Sequence, residues 1–93
     1  MPWADTYAAI LTACAKNAEG RRDATLLALR EAIACAEATD MMLHSAAARH
    51  QLGLLLGGVE GAHELRRAEE AMRAQGVRVP SKFAKLFVPG RWQ

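Results

Sequence analysis

The sequence predicts an all-α protein made of two antiparallel helical hairpins and a short C-terminal helix. Apolar residues recur at spacings of three or four nearly throughout the chain, as on one face of a helix. Alanine, the strongest helix former, supplies 20 of the 93 residues. No segment shows the strict alternation of apolar and polar residues that marks a strand, so residues 1–93 are treated as a single helical domain.

The first predicted hairpin covers residues 4–38. Its first helix runs from Ala4 to Glu19 with one apolar face, and Gly20 ends it as a glycine at the C′ position does. The apolar stripe of its second helix consists of Leu26, Leu29, Ile33 and Ala36. Thr39 or Asp40 is then expected to supply the N-cap of the following helix, since both residue types favour that position.

The second predicted hairpin covers residues 41–75. Its first helix runs from about Met41 to Leu56, and its second from about Glu60 to Gln75, with Gly76 as the terminating residue. Gly57 and Gly58 separate the two helices. Because the connections are short, consecutive helices are expected to lie antiparallel.

The glycines between Leu52 and Gly61 could belong to a phosphate-binding loop or to a corner between packed helices. A phosphate loop requires G-x-x-x-x-G-K-[ST], and a dinucleotide site requires G-x-G-x-x-G after a strand. The stretch "LGLLLGGVEG" has neither spacing, and no lysine or hydroxyl residue follows it. The sequence therefore favours a helix corner with close packing and predicts no cofactor.

A short capping helix is predicted over residues 80–88. Pro80 suits a helix start, the apolar residues are Phe83, Leu86 and Phe87, and a Pro-Gly pair follows. The surrounding segment is basic, because residues 61–93 carry seven Lys/Arg against three Asp/Glu. Such a segment could instead be a DNA-binding helix that places four cations on phosphates, namely Arg73, Arg78, Lys82 and Lys85. A helix this short is poorly suited to lie along a major groove, so nucleic acid is the second choice of partner.

The cysteines and histidines do not form a catalytic or metal-binding pattern. Cys14 and Cys35 stand among alanines on predicted helices and read as small packed side chains, although pairing across the first hairpin stays open. His44 and His50 are six residues apart, whereas two zinc ligands on one helix face need a spacing of three or four. We predict no catalytic residue and no metal, and expect His50 to be partly buried with its ring nitrogens satisfied locally.

The third helix resembles the first helix of a tetratricopeptide (TPR) repeat. Leu52 and Gly53, followed three residues later by Leu56, match the leucine, glycine and large-residue positions of that repeat. In such repeats the small residue lets the paired helix approach closely. Ala13 and Cys14 occupy the corresponding place in the first hairpin, which gives a period of 39 residues from Cys14 to Gly53. The resemblance implies a TPR-like, right-handed stack of the two hairpins.

A longer match, from Leu26 to Trp92, resembles the C-terminal, TPR-like region of large bacterial serine/threonine protein kinases and related ATPase regulators. The matching segments are "LGLLLGG", "AMRAQGV" and "VPG", the last with valine in place of alanine. The chain contains none of the kinase motifs. The resemblance implies the C-terminal fragment of a larger signalling protein, with an interaction or capping role and no catalysis of its own.

A protein or peptide partner is expected in the groove between the first helices of the two hairpins. The residues predicted to contact it are Tyr7, Lys16, His44 and Arg49. Trp3, Tyr7 and Leu11 are expected to lie in a contact with a preceding repeat or with a second copy, so the chain is also expected to self-associate. The sequence has no apolar run long enough for a bilayer and no secretory leader pattern, which predicts no membrane and a cytoplasmic location.

Overall fold

The computed structural model describes residues 2–90, except for the side chains of Pro2 and Leu86. Five helices follow one another along the chain: α1 (Pro2–Ala18), α2 (Arg22–Ala38), α3 (Met42–Leu56), α4 (Gly58–Ala74) and α5 (Pro80–Phe87). No strand occurs in this part of the chain. The prediction of an all-α fold built from helical hairpins is confirmed.

The helices pack mainly with their neighbours in the chain. The contacts of α1 with α2 and of α3 with α4 are the most extensive, and those of α2 with α3 come next. This pattern corresponds to two antiparallel hairpins that are joined through their inner helices. The first helices of the hairpins, α1 and α3, are left free to border a groove.

The corner between α3 and α4 is a single residue long. Gly57 adopts a left-handed backbone with φ 66°, and Gly58, which begins α4, has φ 60°. Residues with a Cβ rarely adopt this conformation, so two successive glycines allow the chain to reverse in so short a space. The glycine cluster is therefore a helix corner, as the sequence predicts.

Gly53 and Gly61 lie where α3 and α4 cross most closely. A Cβ atom added to Gly53 would stand 2.8 Å from the carbonyl oxygen of Gly61 and 2.8 Å from Cγ of Leu65. A Cβ atom added to Gly61 would stand 2.5 Å from the carbonyl oxygen of Gly53. The two backbones are thus in direct contact, and the close approach predicted for Gly53 is confirmed.

The core is built largely from small side chains. Among the described residues, alanine supplies ten of the sixteen buried hydrophobic side chains. Leu29, Leu52, Met72 and Val88 are the largest apolar side chains that are almost completely buried. Alanine-rich interfaces let helices pack at short interaxial distances, which compensates for the scarcity of large core residues.

The connection between α2 and α3 differs from the prediction. Thr39 and Asp40 do not cap α3, whose N-cap residue is Met41 and carries no side-chain cap. The hydroxyl of Thr39 instead donates to the carbonyl of Cys35 at 2.9 Å, one turn back in α2. Asp40 has φ 57° and ends α2 in the left-handed conformation. A threonine near a helix end can bond backward or forward, and here the backward bond prevails.

The short helix α5 lies against the hairpins rather than beyond them. It contacts α3 most extensively and α4 less. Phe83 packs with Ala46 and Met72, and Ala84 is completely buried. The chain after α5 then reaches α1, where the thiol of Cys14 donates to the carbonyl of Pro89 at 3.4 Å. The helix itself thus packs on the second hairpin, and the residues that follow it, Val88 and Pro89, bridge α3 and α1.

Within residues 2–90, no helix is both long and apolar enough to cross a bilayer.

Candidate protein-binding site

Five aromatic rings form a continuous row across the groove between α1 and α3. In order they are Trp3 and Tyr7 of α1, His44 of α3, and Phe87 and Phe83 of α5. Successive ring centroids are 6.1, 5.3, 4.6 and 4.7 Å apart. The first three contacts are edge-on, a geometry that aromatic pairs favour. We call this set the aromatic row.

Tyr7 and His44 connect the two hairpins by a hydrogen bond as well as by ring packing. The Tyr7 hydroxyl lies 3.1 Å from Nε2 of His44. Partial burial lowers the pKa of His44 from its ordinary value of 6.5, so the neutral ring, which can accept the hydroxyl proton at Nε2, prevails at pH 7. Both residues were predicted to contact a partner, and the structure brings them together.

Acidification is expected to weaken the fold through His44. Because burial places the pKa of His44 in the folded state below 6.5, the unfolded chain binds more protons as the pH falls through this value. The contribution of His44 to the free energy of unfolding is therefore fully present above pH 6.5, and it is lost as the pH falls through the pKa of His44 in the folded state. The melting temperature of wild type minus that of His44→Phe should decrease between about pH 7.5 and pH 5.5. A constant difference would contradict this role, since the other titrating groups are common to both proteins.

A depression of about 400 Å³ opens beside the aromatic row. Its lining consists of Asp40, Met41, Met42, Leu43, His44, Gln75 and Phe87. Methionine side chains adapt their shape to different apolar ligands, and Met42 is half exposed. Asp40 contributes a carboxylate to the lining of the depression, which can attract a basic group. The depression can therefore accept an apolar side chain with a basic group next to it.

Lys16 lies near the C-terminal end of α1, away from the aromatic row in sequence and in its contacts. Its ammonium group stands 3.9 Å from the carboxylate of Glu19, one turn further along the chain. Glu19 in turn faces Arg21 at 3.7 Å. These are exposed pairs of small energetic value. The structure leaves Lys16 accessible but does not join it to Tyr7 and His44.

Arg49 faces the other side of α3. It donates to Glu64 of α4 at 2.7 Å and to Glu37 of α2 at 2.8 Å, and its side chain is 15% exposed. Five residues along a helix correspond to a rotation of about 140°, so His44 and Arg49 cannot line the same groove. Arg49 instead ties the second helices of the two hairpins together through α3.

Gln51 binds the segment that follows α5. This residue was not predicted from the sequence as part of a site. Its side-chain amide is almost completely buried and donates to the carbonyl of Val88 at 3.0 Å. The amide oxygen lies 3.3 Å from Nδ1 of His50, which gives this ring nitrogen a local partner as predicted, but His50 is buried and not partly buried as expected. A buried amide on an apolar helix face is the signal that could have indicated a backbone partner.

The cysteines are free and partly buried rather than paired across the first hairpin. Burial raises the pKa of the Cys14 thiol, which lies under the carbonyl of Pro89 and is therefore a poor nucleophile.

Across residues 2–90, no group of three or more potential ligands is arranged to hold a metal ion.

Neither a protein-family model, a curated protein nor a solved structure matches this chain.

Proposed function

We propose that the chain is a protein–protein interaction and capping module of a cytoplasmic bacterial signalling protein, without catalytic activity of its own. The hairpins and the glycine contact between α3 and α4 are consistent with a TPR-like unit. The observation that supports binding most strongly is the aromatic row with the depression beside it. Such a combination of rings, methionines and one carboxylate suits a peptide that carries an apolar anchor and a basic residue.

The proposed mode of binding follows from what is exposed and what is already occupied. The groove is partly filled by the residues after α5: Val88, which is fully buried, accepts a hydrogen bond from Gln51 of α3, and Pro89 accepts one from Cys14 of α1. The accessible part is the end near Met42 and His44, where Tyr7 and Trp3 are about half exposed. A partner is therefore expected to insert a side chain into the depression and to rest on the exposed rings.

Selection from a displayed peptide library tests this proposal. Selected peptides should bind wild type with a dissociation constant of about 1–100 µM, and should carry an aliphatic or aromatic residue near Lys or Arg. The Met42→Lys variant should bind these peptides at least about 10-fold more weakly, because it places a cation in the depression. Val59→Lys is the matched control, since Val59 is a highly exposed apolar residue on α4 outside the depression.

Two results would overturn the assignment of the site. The first is equal weakening of binding by Met42→Lys and Val59→Lys. The second is failure to select any peptide that binds wild type in this range. The alternative of DNA binding has less support, because α5 has eight residues and uses Phe83, Ala84 and Phe87 to pack on the hairpins.

A further inference from the structure

A second, smaller depression adjoins the depression beside the aromatic row. Its volume is about 170 Å³, and Met42 lines both depressions, so they meet at this side chain. Three alanines of α3 and α4 belong to its lining: Ala46, Ala68 and Ala71. We call it the alanine depression. A peptide that is bound beside the aromatic row can therefore continue over Met42 into a second space.

The alanine depression contains a hydroxyl group without a partner. Ser45 is 4% exposed and lines the depression, and its hydroxyl has no hydrogen-bond partner within residues 2–90. The hydroxyls of Thr12, Thr25 and Thr39, in contrast, each donate to the carbonyl one turn back in the chain. Such a backward bond is a common way to satisfy a hydroxyl on a helix. Because Ser45 does not form it, its hydroxyl is available to an acceptor that enters the depression.

The alanine depression also contains a guanidinium group with available donors. Arg67 lines it and is 54% exposed, and its distance of 3.9 Å from Glu64 is too long for a hydrogen bond. Glu64 is held instead by Arg49 at 2.7 Å, and Arg49 also has a short contact of 2.8 Å with Glu37. Both short ion pairs thus belong to Arg49. Arg67 is the cation of this depression that an incoming anion can reach.

We propose that the alanine depression is a carboxylate subsite of the peptide-binding site, in which Ser45 and Arg67 donate hydrogen bonds to an acidic side chain of the partner. The inference rests on the proposed peptide-binding function and specifies the partner further. Asp40 attracts a basic residue to the first depression, whereas Arg67 attracts an acidic residue to the second. The partner is therefore a peptide that carries both charges close to its apolar anchor.

An acidic side chain suits the subsite better than an uncharged acceptor does. A hydrogen bond between a guanidinium group and a carboxylate is roughly twice as strong as one between neutral groups. The two depressions share the side chain of Met42, and an extended peptide advances about 3.3 Å per residue, so the acidic residue lies within about three positions of the anchor. Opposite charges in adjoining depressions also fix the orientation of the bound peptide.

Selection from a library of displayed heptapeptides with a fixed central leucine tests the subsite. Peptides that bind wild type should be enriched in Asp or Glu as well as in Lys or Arg. With Arg67→Met as the target, the acidic enrichment should disappear and the basic enrichment should remain. Arg66→Met is the matched control, since Arg66 is an exposed neighbour on α4 that does not line the depression. It should leave both enrichments unchanged.

Affinities of paired peptides provide the quantitative test. The strongest heptapeptide selected on wild type should bind about 5-fold more tightly than the same peptide with its acidic residue replaced by the corresponding amide. In Ser45→Ala and in Arg67→Met this ratio should fall below about 2-fold, because one donor of the subsite is lost. Arg66→Met should keep the wild-type ratio. Melting curves of the variants show that they are folded.

Failure of the subsite can be distinguished from failure of the peptide-binding function. Binders that carry an apolar anchor and a basic residue but show no acidic preference would overturn the subsite alone. An acidic preference that Arg67→Met and Arg66→Met reduce equally would do the same. Failure to select any binder, or equal effects of Met42→Lys and Val59→Lys, would contradict the proposed function and the subsite with it.

Discussion

Replacing Gly61 by alanine is expected to destabilise the protein by about 2–4 kcal/mol. At an open helix position the same replacement stabilises by about 0.5–1 kcal/mol, because alanine has the higher helix propensity. Here the new Cβ would stand 2.5 Å from the carbonyl oxygen of Gly53. A backbone atom cannot rotate away, so α3 and α4 would have to separate. The structure therefore predicts that alanine at this helix position lowers the stability, whereas at an open helix position it raises it.

Thermal and denaturant unfolding provide the measurement for Gly61→Ala. The melting temperature should fall by about 10–20 °C for a domain of this size. Ala62→Gly is the control on the same helix, since Ala62 is exposed and should lose no more than about 1 kcal/mol. A Gly61→Ala protein as stable as wild type would show that the two backbones are not in contact. Gly53→Ala should behave similarly, with partial recovery on adding Leu65→Ala, because Leu65 provides one of its two closest contacts.

Replacing Arg49 by methionine is expected to cost about 2–3 kcal/mol. The guanidinium group satisfies Glu64, whose side chain is 14% exposed, and also reaches Glu37. Removing the cation leaves the carboxylate of Glu64 poorly solvated and without its closest partner. Breaking one side of such a pair costs more than the pair contributes, because the remaining charge stays in the protein.

Arg67→Met is the matched control for the arginine prediction. Arg67 lies 3.9 Å from the same Glu64 but is about half exposed, so its loss should change the free energy of unfolding by no more than about 0.5 kcal/mol. Adding Glu64→Leu to Arg49→Met should recover part of the lost stability, since no buried charge then remains. Equal effects of Arg49→Met and Arg67→Met would contradict the role of Arg49 as a link between the hairpins.

The helices could be predicted from the sequence because their signals are local. Apolar spacing located all five, and the glycines at positions 20, 57 and 76 marked ends that the structure confirms. The close contact at Gly53 followed from its resemblance to a repeat position. The cap at Thr39 could not be decided in this way, because its hydroxyl reaches both the preceding and the following helix.

The site could be predicted only in part, because it depends on contacts distant in the chain. Tyr7 and His44 were expected in one groove and are 37 residues apart in the sequence. The pairing of Arg49 with two glutamates depends on how the hairpins stack. The packing position of α5 could not be predicted from the sequence either. A short amphipathic helix can bury its apolar side at the end of a helical stack or against one side of a hairpin. The observed position of α5 rests on the packing of Phe83 and Ala84 and on the hydrogen bond from the Gln51 amide to the following residue, Val88.

The contact of Cys14 with Pro89 joins the first helix to the last residues that the structure describes. In an open array of repeats, terminal units can fray while the rest stays folded. Here the last segment touches α1, α3 and α4, so neither hairpin can open without breaking contacts made by the other. The C-terminal segment thus connects the first hairpin to the second. The two halves of the molecule should therefore melt in a single cooperative step.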